Sequence, residues 1–299
     1  MKWLLAGASG FLGTALRVRL AGEGQEVVRL VRREPATSTE IQWDPDSGTV
    51  AAAAFDGVDV AVNLAGVPVA PLPWTESRRE QILSSRVNTT STIARGLAAQ
   101  TDDRRRTLIQ ASGIARYGTT SGSEPYTEAS PAAADYLAQV TTKWEAASQA
   151  AADAGVRVVV LRTSPVMDSS GGTLVPLKLA WLCGLGATLG DGTQRMPMIS
   201  LRDYLGVVQW AATTEQASGP YNLTLPQPTT NAEFSDALAA ALHRPRFLRV
   251  PTPIIRTALG ELAGQLVGDV YAMPERLTGD GFVFSDPAVT DLVASALRD

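Results

Sequence analysis

Short apolar segments alternate with longer segments of helical periodicity along the first part of the chain. Most of the short segments are apolar at every position, as strands of a parallel sheet are when both faces are covered. A strand and then a helix, repeated, predicts an α/β fold with a parallel sheet and helices on both of its faces. We predict strands at 2–7, 26–31, 59–66, 107–113 and 156–164. We predict helices at 11–22, 75–100, 131–154, 202–215, 231–242 and 255–267.

The first predicted strand runs into GASGFLG, which places Gly7, Gly10 and Gly13 at the start of the next helix. Glycines at this spacing allow a sharp turn, a close approach of the main chain to a diphosphate, and tight packing of helix on strand. The N–H groups and dipole of a helix N-terminus also favour an anion. With a strand before it and an apolar helix after it, the motif predicts a dinucleotide site. The expected contacts are Gly7, Ser9, Gly10, Phe11, Leu12 and Gly13.

The end of the second predicted strand bears on which dinucleotide is bound. An acid there would bind the ribose 2'-hydroxyl of NAD, and a base would bind the 2'-phosphate of NADP. The sequence RLVRRE places Arg32 and Arg33 at that position, which favours NADP (NADPH) over NAD. Glu34 keeps NAD as an alternative, and a pair of solvated arginines is a further one.

Composition excludes several classes of protein. The 299 residues carry a net charge of −4, with Cys183 as the only cysteine and His243 as the only histidine. Neither a disulfide nor a Cys/His metal site is therefore expected. The longest basic run, 104–106, is too short for a nucleic-acid surface. The absence of a long apolar run and of an export signal predicts a cytoplasmic protein that binds small molecules, with no membrane or nucleic-acid partner.

Several motifs resemble the extended short-chain dehydrogenase/reductase superfamily, whose members bind NAD(P) and often act on nucleotide sugars. They are GASGFLG near the N-terminus, NLAG at 63–66, SRVNTT at 85–90, SGIARYG at 112–118 and LRTSPV at 161–166. The closer resemblance is to an atypical branch, the YfcH-like epimerase family, and it continues through GPYNLTLPQPTTNAEF at 219–234. The C-terminal segment resembles that branch's domain of unknown function.

The resemblance implies a Rossmann-type, doubly wound parallel sheet with a smaller interleaved C-terminal substrate-binding region. Beyond the fifth predicted strand the sequence changes to Gly- and Pro-rich connections, where a second region is expected to begin. We expect an NADP-binding domain at 1–166, to which 201–225 return. The substrate-binding region is expected at 167–200 and 226–250, with a C-terminal extension at 251–299.

The resemblance also implies catalytic residues, and here the chain departs from the superfamily. Its enzymes place a tyrosine four residues before a lysine on one helix, so that the lysine lowers the pKa of the phenol. Lys143 occupies the lysine position and is expected to hold the nicotinamide ribose, but Gln139 stands where the tyrosine would be. Tyr136 lies about 10 Å along the helix from Lys143, too far for a direct proton relay.

The superfamily's second catalytic helper is a Ser or Thr at the end of that family's own fifth strand, which corresponds to the strand predicted at 107–113. Its nearest counterpart is Ser112, one position from the expected place. Lys143 and Ser112 are therefore the candidate catalytic residues. For Ser112 the alternative is a strand-end hydroxyl with a structural hydrogen bond.

The same motifs supply the remaining candidate site residues. For the cofactor these are Leu64, Ala65, Gly66, Asn88, Lys143 and Thr163. For the substrate they are Arg86, Tyr117 and Tyr136. The alternative for either tyrosine is a half-buried ring with a solvated hydroxyl.

Capping residues predict where two of the helices begin. Ser130 as a cap, followed by Pro131, predicts a helix that begins at residue 131. Asp203 is expected to cap the helix that follows it. His243 lies at a predicted helix end and is expected to be a surface or capping residue.

Two functions are open on the sequence alone. The first is an NADP(H)-dependent oxidoreductase or nucleotide-sugar epimerase-like enzyme for a small polar substrate, with water or another acid in place of the tyrosine. The second is a non-catalytic NADP(H)-binding sensor or regulatory protein. The missing tyrosine favours the second, whereas Lys143, the glycines and the C-terminal resemblance favour the first. The chain is expected to be a monomer or a homodimer.

Overall fold

The computed structural model describes residues 1–70, 73–260 and 263–298. By their contacts the residues form two compact units, each drawn from separate segments of the chain. Unit 1 consists of Met1–Ser112, Gln139–Leu161 and Val208–Pro220. Unit 2 consists of Gly113–Ala138, Arg162–Val207 and Tyr221–Asp299. The division into domains by function, given above, stays a prediction.

Thirteen strands occur in the described residues. They are β1 (Lys2–Ala6), β2 (Glu26–Val31), β3 (Glu40–Asp44), β4 (Thr49–Val50), β5 (Val60–Asn63), β6 (Thr107–Gly113), β7 (Arg157–Thr163), β8 (Val166–Asp168), β9 (Gly171–Gly172), β10 (Ala187–Leu189), β11 (Ile199–Ser200), β12 (Gly219–Leu223) and β13 (Leu248–Val250). Eight of them form a mostly parallel sheet in the order β12-β7-β6-β5-β1-β2-β3-β4. The doubly wound α/β fold predicted from the sequence is thereby confirmed.

Eleven α-helices accompany these strands in the described parts of the chain. They are α1 (Phe11–Gly22), α2 (Glu76–Ala98), α3 (Tyr136–Ala146), α4 (Gln149–Asp153), α5 (Leu174–Leu182), α6 (Leu201–Thr213), α7 (Asn231–Leu242), α8 (Thr252–Leu259), α9 (Ala263–Val267), α10 (Glu275–Gly279) and α11 (Val289–Ala296). The helix predicted at 255–267 falls on α8 and α9, and its residues 261–262 lie outside the described residues.

β1 lies in the middle of the sheet and pairs in parallel with β2 on one side and β5 on the other. The chain builds outward from β1 through β2 on one side and through β5 and β6 on the other. The connections that follow β1 and β5 therefore diverge at the C-terminal edge of the sheet. Such a switch point is where open α/β sheets bind their ligands.

Each unit has its own apolar core. In unit 1 the helix residues Ile93, Leu97 and Ala151 pack with strand residues that include Leu4 and Leu108. In unit 2 α11 contributes to a cluster of Met167, Leu174, Trp181, Met198, Leu225, Phe234, Leu238, Leu292 and Val293. The C-terminal extension is therefore part of the core of unit 2.

The predicted start of the helix at Pro131 is wrong. α3 begins at Tyr136, and the carboxylate of Asp135 accepts a hydrogen bond from the N–H of Ala138 at 2.9 Å. The hydroxyl of Ser130 is used differently, since it accepts from the N–H of Thr127 at 3.0 Å. Ser130 therefore closes a turn over 127–130, and the capping position falls on the next acidic residue.

Candidate functional site

The turn between β1 and α1 holds three glycines that meet different constraints. Gly7 has a φ of +79°, and a Cβ on it would lie 2.7 Å from the carbonyl carbon of Leu64. A Cβ on Gly13 would lie 2.1 Å from the carbonyl oxygen of Gly7. The protein's own main chain therefore excludes side chains at both positions. A Cβ on Gly10 would have its nearest neighbour at 3.5 Å, an ordinary contact, so the fold does not require glycine there.

The N-terminus of α1 leaves main-chain donors for an anion. Gly10 is its N-cap residue, and no side chain of the described residues caps the helix. The first turn of a helix has N–H groups without partners in the helix, and the helix dipole favours negative charge there. Ser9 and Gly10 are exposed, and Phe11 and Leu12 are partly buried. A diphosphate beside Gly10 would meet no side chain at that position and could accept from these N–H groups.

The segment after β5 leaves the sheet next to this turn. The N–H of Leu64 donates to the carbonyl of Ala6 at 3.0 Å, which continues the pairing of the two strands. The N–H of Ala65 donates to the side-chain oxygen of Asn63 at 3.1 Å. Leu64 and Ala65 are partly buried and Gly66 is exposed. These three candidates thus lie at the switch point of the sheet, beside the glycine turn.

A buried polar network holds this segment and α3 onto the sheet. The Nδ2 of Asn63 donates to Oγ1 of Thr90 at 3.0 Å and to Oε1 of Gln110 at 3.1 Å. The indole N–H of Trp144 donates to the same Thr90 oxygen at 3.0 Å. Because these groups lie out of water, each depends on its partners in the network. The network connects β5, β6, α2 and α3.

The two arginines after β2 have different surroundings. The guanidinium of Arg33 binds the carboxylate of Glu40 through two hydrogen bonds, at 2.9 and 2.6 Å. Arg32 is exposed and, within the described residues, makes no hydrogen bond or ion pair. Glu34 is also exposed. Of the two arginines, Arg32 is the one whose guanidinium is available to an anion.

α3 carries Gln139 and Lys143 one turn apart, and both are exposed. In the described part of the chain, the ammonium group of Lys143 makes no hydrogen bond or ion pair. Tyr136, the first residue of α3, is partly buried. The helix thus presents an ammonium group, with an amide where the superfamily has a phenol.

Ser112 lies at the end of β6 and is buried. Its hydroxyl donates to the carboxylate of Glu145 at 2.7 Å. Glu145 is two residues beyond Lys143 on α3, and residues two apart on a helix do not share a face. This contact favours a structural role for Ser112.

Arg86 and Asn88 lie on α2. Nη1 of Arg86 donates to the carbonyls of Val67 and Ile82 at 3.1 and 3.0 Å, and its guanidinium lies 5.0 Å above the ring of Trp144. A Cβ on Gly66 would lie 3.4 Å from the Cγ of Arg86, so the arginine covers this glycine closely. The Nδ2 of Asn88 donates to Asp46 at 3.2 Å. Arg86 therefore supports the segment after β5.

Tyr117 and Thr163 belong to unit 2. Tyr117 is only 1% exposed, and its hydroxyl oxygen accepts from Nη1 of Arg162 at 2.8 Å. The carbonyl oxygen of Thr127 and Oδ1 of Asn222, each also at 2.8 Å, share its single proton. Burial raises the pKa of the Tyr117 phenol. These contacts favour a structural role for Tyr117 over contact with a substrate. Thr163 is the last residue of β7 and is partly buried.

The expected cap at Asp203 is wrong. α6 begins at Leu201, and the hydroxyl of Ser200 accepts from the N–H of Asp203 at 3.1 Å, so serine is the capping residue. The carboxylate of Asp203 instead accepts from the N–H groups of Ser285 and Asp286, at 2.8 and 3.0 Å. Burial raises the pKa of this carboxyl. Asp203 thus holds the C-terminal extension within unit 2.

A groove of about 880 Å³ lies at the other edge of the sheet, around the first residues of β5, β6 and β7. Its arginines are already paired, since Arg106 binds Asp102 and Arg104 binds Asp59. Nη1 and Nη2 of Arg157 donate to carbonyls at the end of α6 and just beyond it. This groove lies far from the C-terminal edge where the glycine turn is found.

Neither a metal cluster nor a membrane-crossing helix occurs in the described ranges. No three or more His, Cys, Asp or Glu side chains come together there as metal ligands. No helix in the same ranges has the length and apolar content needed to cross a bilayer.

Sequence reasoning missed the residues that support the site. Asn63 and Gln110 stand inside apolar strands and Thr90 inside a helix, and Glu40 begins a strand that was not predicted. The available signal was a polar residue in an otherwise apolar strand, because such a residue must find a partner when it is buried. The identity of that partner depends on strand order, which the sequence does not display.

Comparison with family models gives two matches. The model described as the NAD dependent epimerase/dehydratase family matches residues 3–224, and a domain of unknown function, DUF1731, matches residues 250–298. The epimerase family protein Mb2239 of Mycobacterium bovis is 38% identical over 294 residues, with 98% of this chain and 96% of the relative covered.

Two solved structures are also similar. The human epimerase family protein SDR39U1, crystallised with NADPH, has a TM-score of 0.89 and 30% identity, over 99% of each chain. A nucleoside-diphosphate sugar epimerase from Corynebacterium glutamicum has a TM-score of 0.81 and 32% identity, covering 99% of this chain and 58% of that one. Because the first family model spans most of the chain, from β1 to β12, the protein belongs to the NAD dependent epimerase/dehydratase family.

Proposed function

We propose that the protein is an NADP(H)-dependent oxidoreductase or epimerase-like enzyme that acts on a small polar substrate. The observation that carries the proposal is the bare N-terminus of α1 at the switch point of the sheet, with Gly10 leaving room beside it. The human relative crystallised with NADPH supports the choice of cofactor. The Corynebacterium relative, a nucleoside-diphosphate sugar epimerase by name, supports a nucleoside-diphosphate sugar as the substrate class.

The chain offers a residue for each part of the cofactor. The N–H groups of Phe11, Leu12 and Gly13 would hold the diphosphate, because they lack helical partners. Arg32, exposed and unpaired among the described residues, would bind the 2'-phosphate. Lys143 would donate to the nicotinamide ribose. A bound nicotinamide would supply or accept a hydride. Water or another acid would exchange the accompanying proton, because Gln139 has no ionisable proton.

The functional division of the chain belongs to the same proposal. Residues 1–166 with 201–225 would bind the cofactor, and 167–200 with 226–250 would bind the substrate. Residues 251–299 form the extension. A cytoplasmic location and a monomeric or homodimeric state are also part of the proposal.

Position 139 favours a second candidate function, an NADP(H)-binding regulator without turnover. Gln139 has no ionisable proton to exchange with a substrate, and the hydroxyl of Ser112 donates a hydrogen bond to the carboxylate of Glu145. A protein with this site would bind the nucleotide and leave it unchanged. The two functions differ in whether any substrate is converted.

The experiment that separates them uses both states of the cofactor. With NADPH bound, its oxidation by a panel of carbonyl compounds is followed by absorbance. With NADP+ bound, isomerisation of nucleoside-diphosphate sugars is followed by NMR, because the oxidised nicotinamide would accept a hydride from the sugar and return it, and so is unchanged in the net reaction. The enzyme proposal predicts conversion of at least one compound. If NADPH is retained and no sugar changes across the panel, the enzyme proposal is contradicted and the NADP(H)-binding regulator is supported.

A substitution at the same position tests the relay directly. Gln139→Tyr restores the phenol one turn before Lys143, and we expect a higher rate of carbonyl reduction if the relay geometry is intact. Gln139→Phe is the matched control, because it supplies the ring without the hydroxyl. Equal rates for the two variants would show that the phenol has no role.

A further inference from the structure

A single carboxylate holds the segment between β2 and β3. Glu40, the first residue of β3, has a side chain that is 1% exposed and accepts both hydrogen bonds of Arg33. It also accepts from the N–H of Ala36 at 2.7 Å and forms an ion pair with Arg29 at 3.0 Å. These donors come from β2 and from two points in residues 32–39, so the carboxylate holds both the start and the middle of this segment.

The contacts of the two arginines differ. Nη1 of Arg33 donates to Glu40 and to the carbonyl of Glu34 at 2.7 Å, and Nη2 donates to Glu40. Both terminal nitrogens therefore donate within the segment. Arg32 sits between the end of β2 and this anchored residue, so its main chain is fixed on both sides while its guanidinium has no partner among the described residues.

We propose that Glu40 is a positioning residue for NADP selectivity, which anchors Arg33 and residues 32–39 so that Arg32 alone meets the 2'-phosphate. The inference rests on the proposed function, because it requires an NADP-type nucleotide at this end of the sheet. Arg33 is then a structural partner, and the selectivity of the pair depends on a carboxylate that touches no ligand. The hydrogen bonds from Arg33 and Ala36 lower the pKa of Glu40 to about 2, so it is ionised at neutral pH.

Two effects of removing this carboxylate oppose each other. Loss of a negative charge would by itself favour a phosphate nearby, but this charge is already offset within the segment by the ion pairs of Glu40 with Arg29 and Arg33. Loss of the anchor leaves Arg33, Ala36 and Arg29 without their shared acceptor, so Arg32 must be ordered when the ligand binds. We expect the loss of positioning to dominate.

The test measures the affinities of adenosine 2',5'-bisphosphate and 5'-AMP by calorimetry at 0.15 M salt. These probes differ only in the 2'-phosphate, so the ratio of their dissociation constants reports selectivity without any turnover. We expect a ratio of at least tenfold for the wild type. Glu40→Gln should reduce the ratio at least fivefold and leave the affinity for 5'-AMP within twofold. Asp103→Asn, which removes an exposed carboxylate at the opposite edge of the sheet, is the charge-matched control and should keep the ratio.

Arg33→Met is the second variant and remains informative if Glu40→Gln does not fold. Arg33→Met removes the two hydrogen bonds that Glu40 accepts from Arg33, so it should lower the ratio in the same direction, and the double variant should lose no more than Glu40→Gln alone. An unchanged or higher ratio in the single variants, an equal loss of 5'-AMP affinity, or a further loss in the double variant would overturn the inference. A wild-type ratio near one would instead refute the proposed NADP preference itself.

Discussion

At the scale of single residues, the three glycines of the first turn have separate causes. The sequence presents Gly7, Gly10 and Gly13 as one motif, and the spacing alone predicted the turn and the helix after it. Only the folded structure distinguishes the two that the main chain requires from the one it does not. The distinction depends on how closely the segment after β5 approaches, which is a tertiary contact and has no local sequence signal.

Gly10→Ser tests this distinction. Serine suits the N-cap position, so the free energy of unfolding should stay within about 0.5 kcal/mol of the wild type or rise. Its side chain would occupy the anion position, and NADPH affinity should fall at least tenfold. In contrast, Gly13→Ala forces a Cβ to 2.1 Å from a carbonyl oxygen and should destabilise the fold by about 1–3 kcal/mol. Urea unfolding and calorimetry measure the two effects, and a Gly10→Ser protein that binds NADPH normally would contradict the assignment.

Arg32→Ala tests the source of nucleotide preference. We expect the wild type to bind NADPH at least tenfold more tightly than NADH, which corresponds to about 1.4 kcal/mol, and Arg32→Ala to abolish the difference. The control is Arg105→Ala, because the Arg105 side chain is 92% exposed and lies at the opposite edge of the sheet. A preference that survives in Arg32→Ala would assign the 2'-phosphate to another group.

At the scale of elements, the sequence predicted the strands and helices with clear apolar patterns. It did not predict the short or polar ones. The five apolar strands and the helices that became α1, α2, α6 and α7 follow from periodicity. β3, with the sequence EIQWD, was missed because it begins and ends with an acidic residue, although Glu40 and Trp43 are buried. α11 was missed because eight residues are too few to show a clear helical periodicity. Its apolar face nevertheless completes the core of unit 2.

Leu292→Ala tests the contribution of α11. Leu292 is fully buried among the apolar residues of unit 2, so its truncation should lower the free energy of unfolding by about 2–5 kcal/mol. Leu185→Ala is the control, because Leu185 is 66% exposed and should change stability by no more than about 0.5 kcal/mol. Equal effects in chemical denaturation would show that the extension does not belong to the core.

At the scale of the whole molecule, the fold class was predictable from the sequence. The pairing of the buried polar residues that hold the site was not. Alternating strands and helices restrict the chain to a parallel sheet, and the glycine turn after β1 indicates the binding edge. Strand order decides which side chains meet across that sheet, such as Asn63 with Gln110. Register is set by packing of the entire unit, so no local pattern reveals it.

The carboxyl groups of the described residues predict how the free energy of unfolding depends on pH. Six of them have pKa values lowered in the folded state, mainly by hydrogen bonds: Glu40, Asp44, Asp59, Asp102, Asp191 and Asp269. A lowered pKa stabilises the fold above the unfolded value near 4 and loses that effect as pH falls through the folded value. Burial raises the pKa of Glu128 and Asp203, which act in the opposite sense.

The urea midpoint should therefore decrease as pH falls from about 5 to 2, because more carboxyl groups have a lowered pKa than a raised one. Glu40→Gln should show a smaller decrease over this range, since it lacks the titration of one lowered carboxyl. A urea midpoint that stays constant or rises on acidification would show that the carboxyl groups with lowered pKa values do not dominate.

The central claim is that main-chain N–H groups at the start of α1 hold the diphosphate of a nicotinamide dinucleotide. The most direct measurement is a calorimetric titration of the wild-type protein with NADPH and with NADH. We predict saturable binding of NADPH at one site per chain, with NADH at least tenfold weaker. The absence of binding by either nucleotide would contradict the claim.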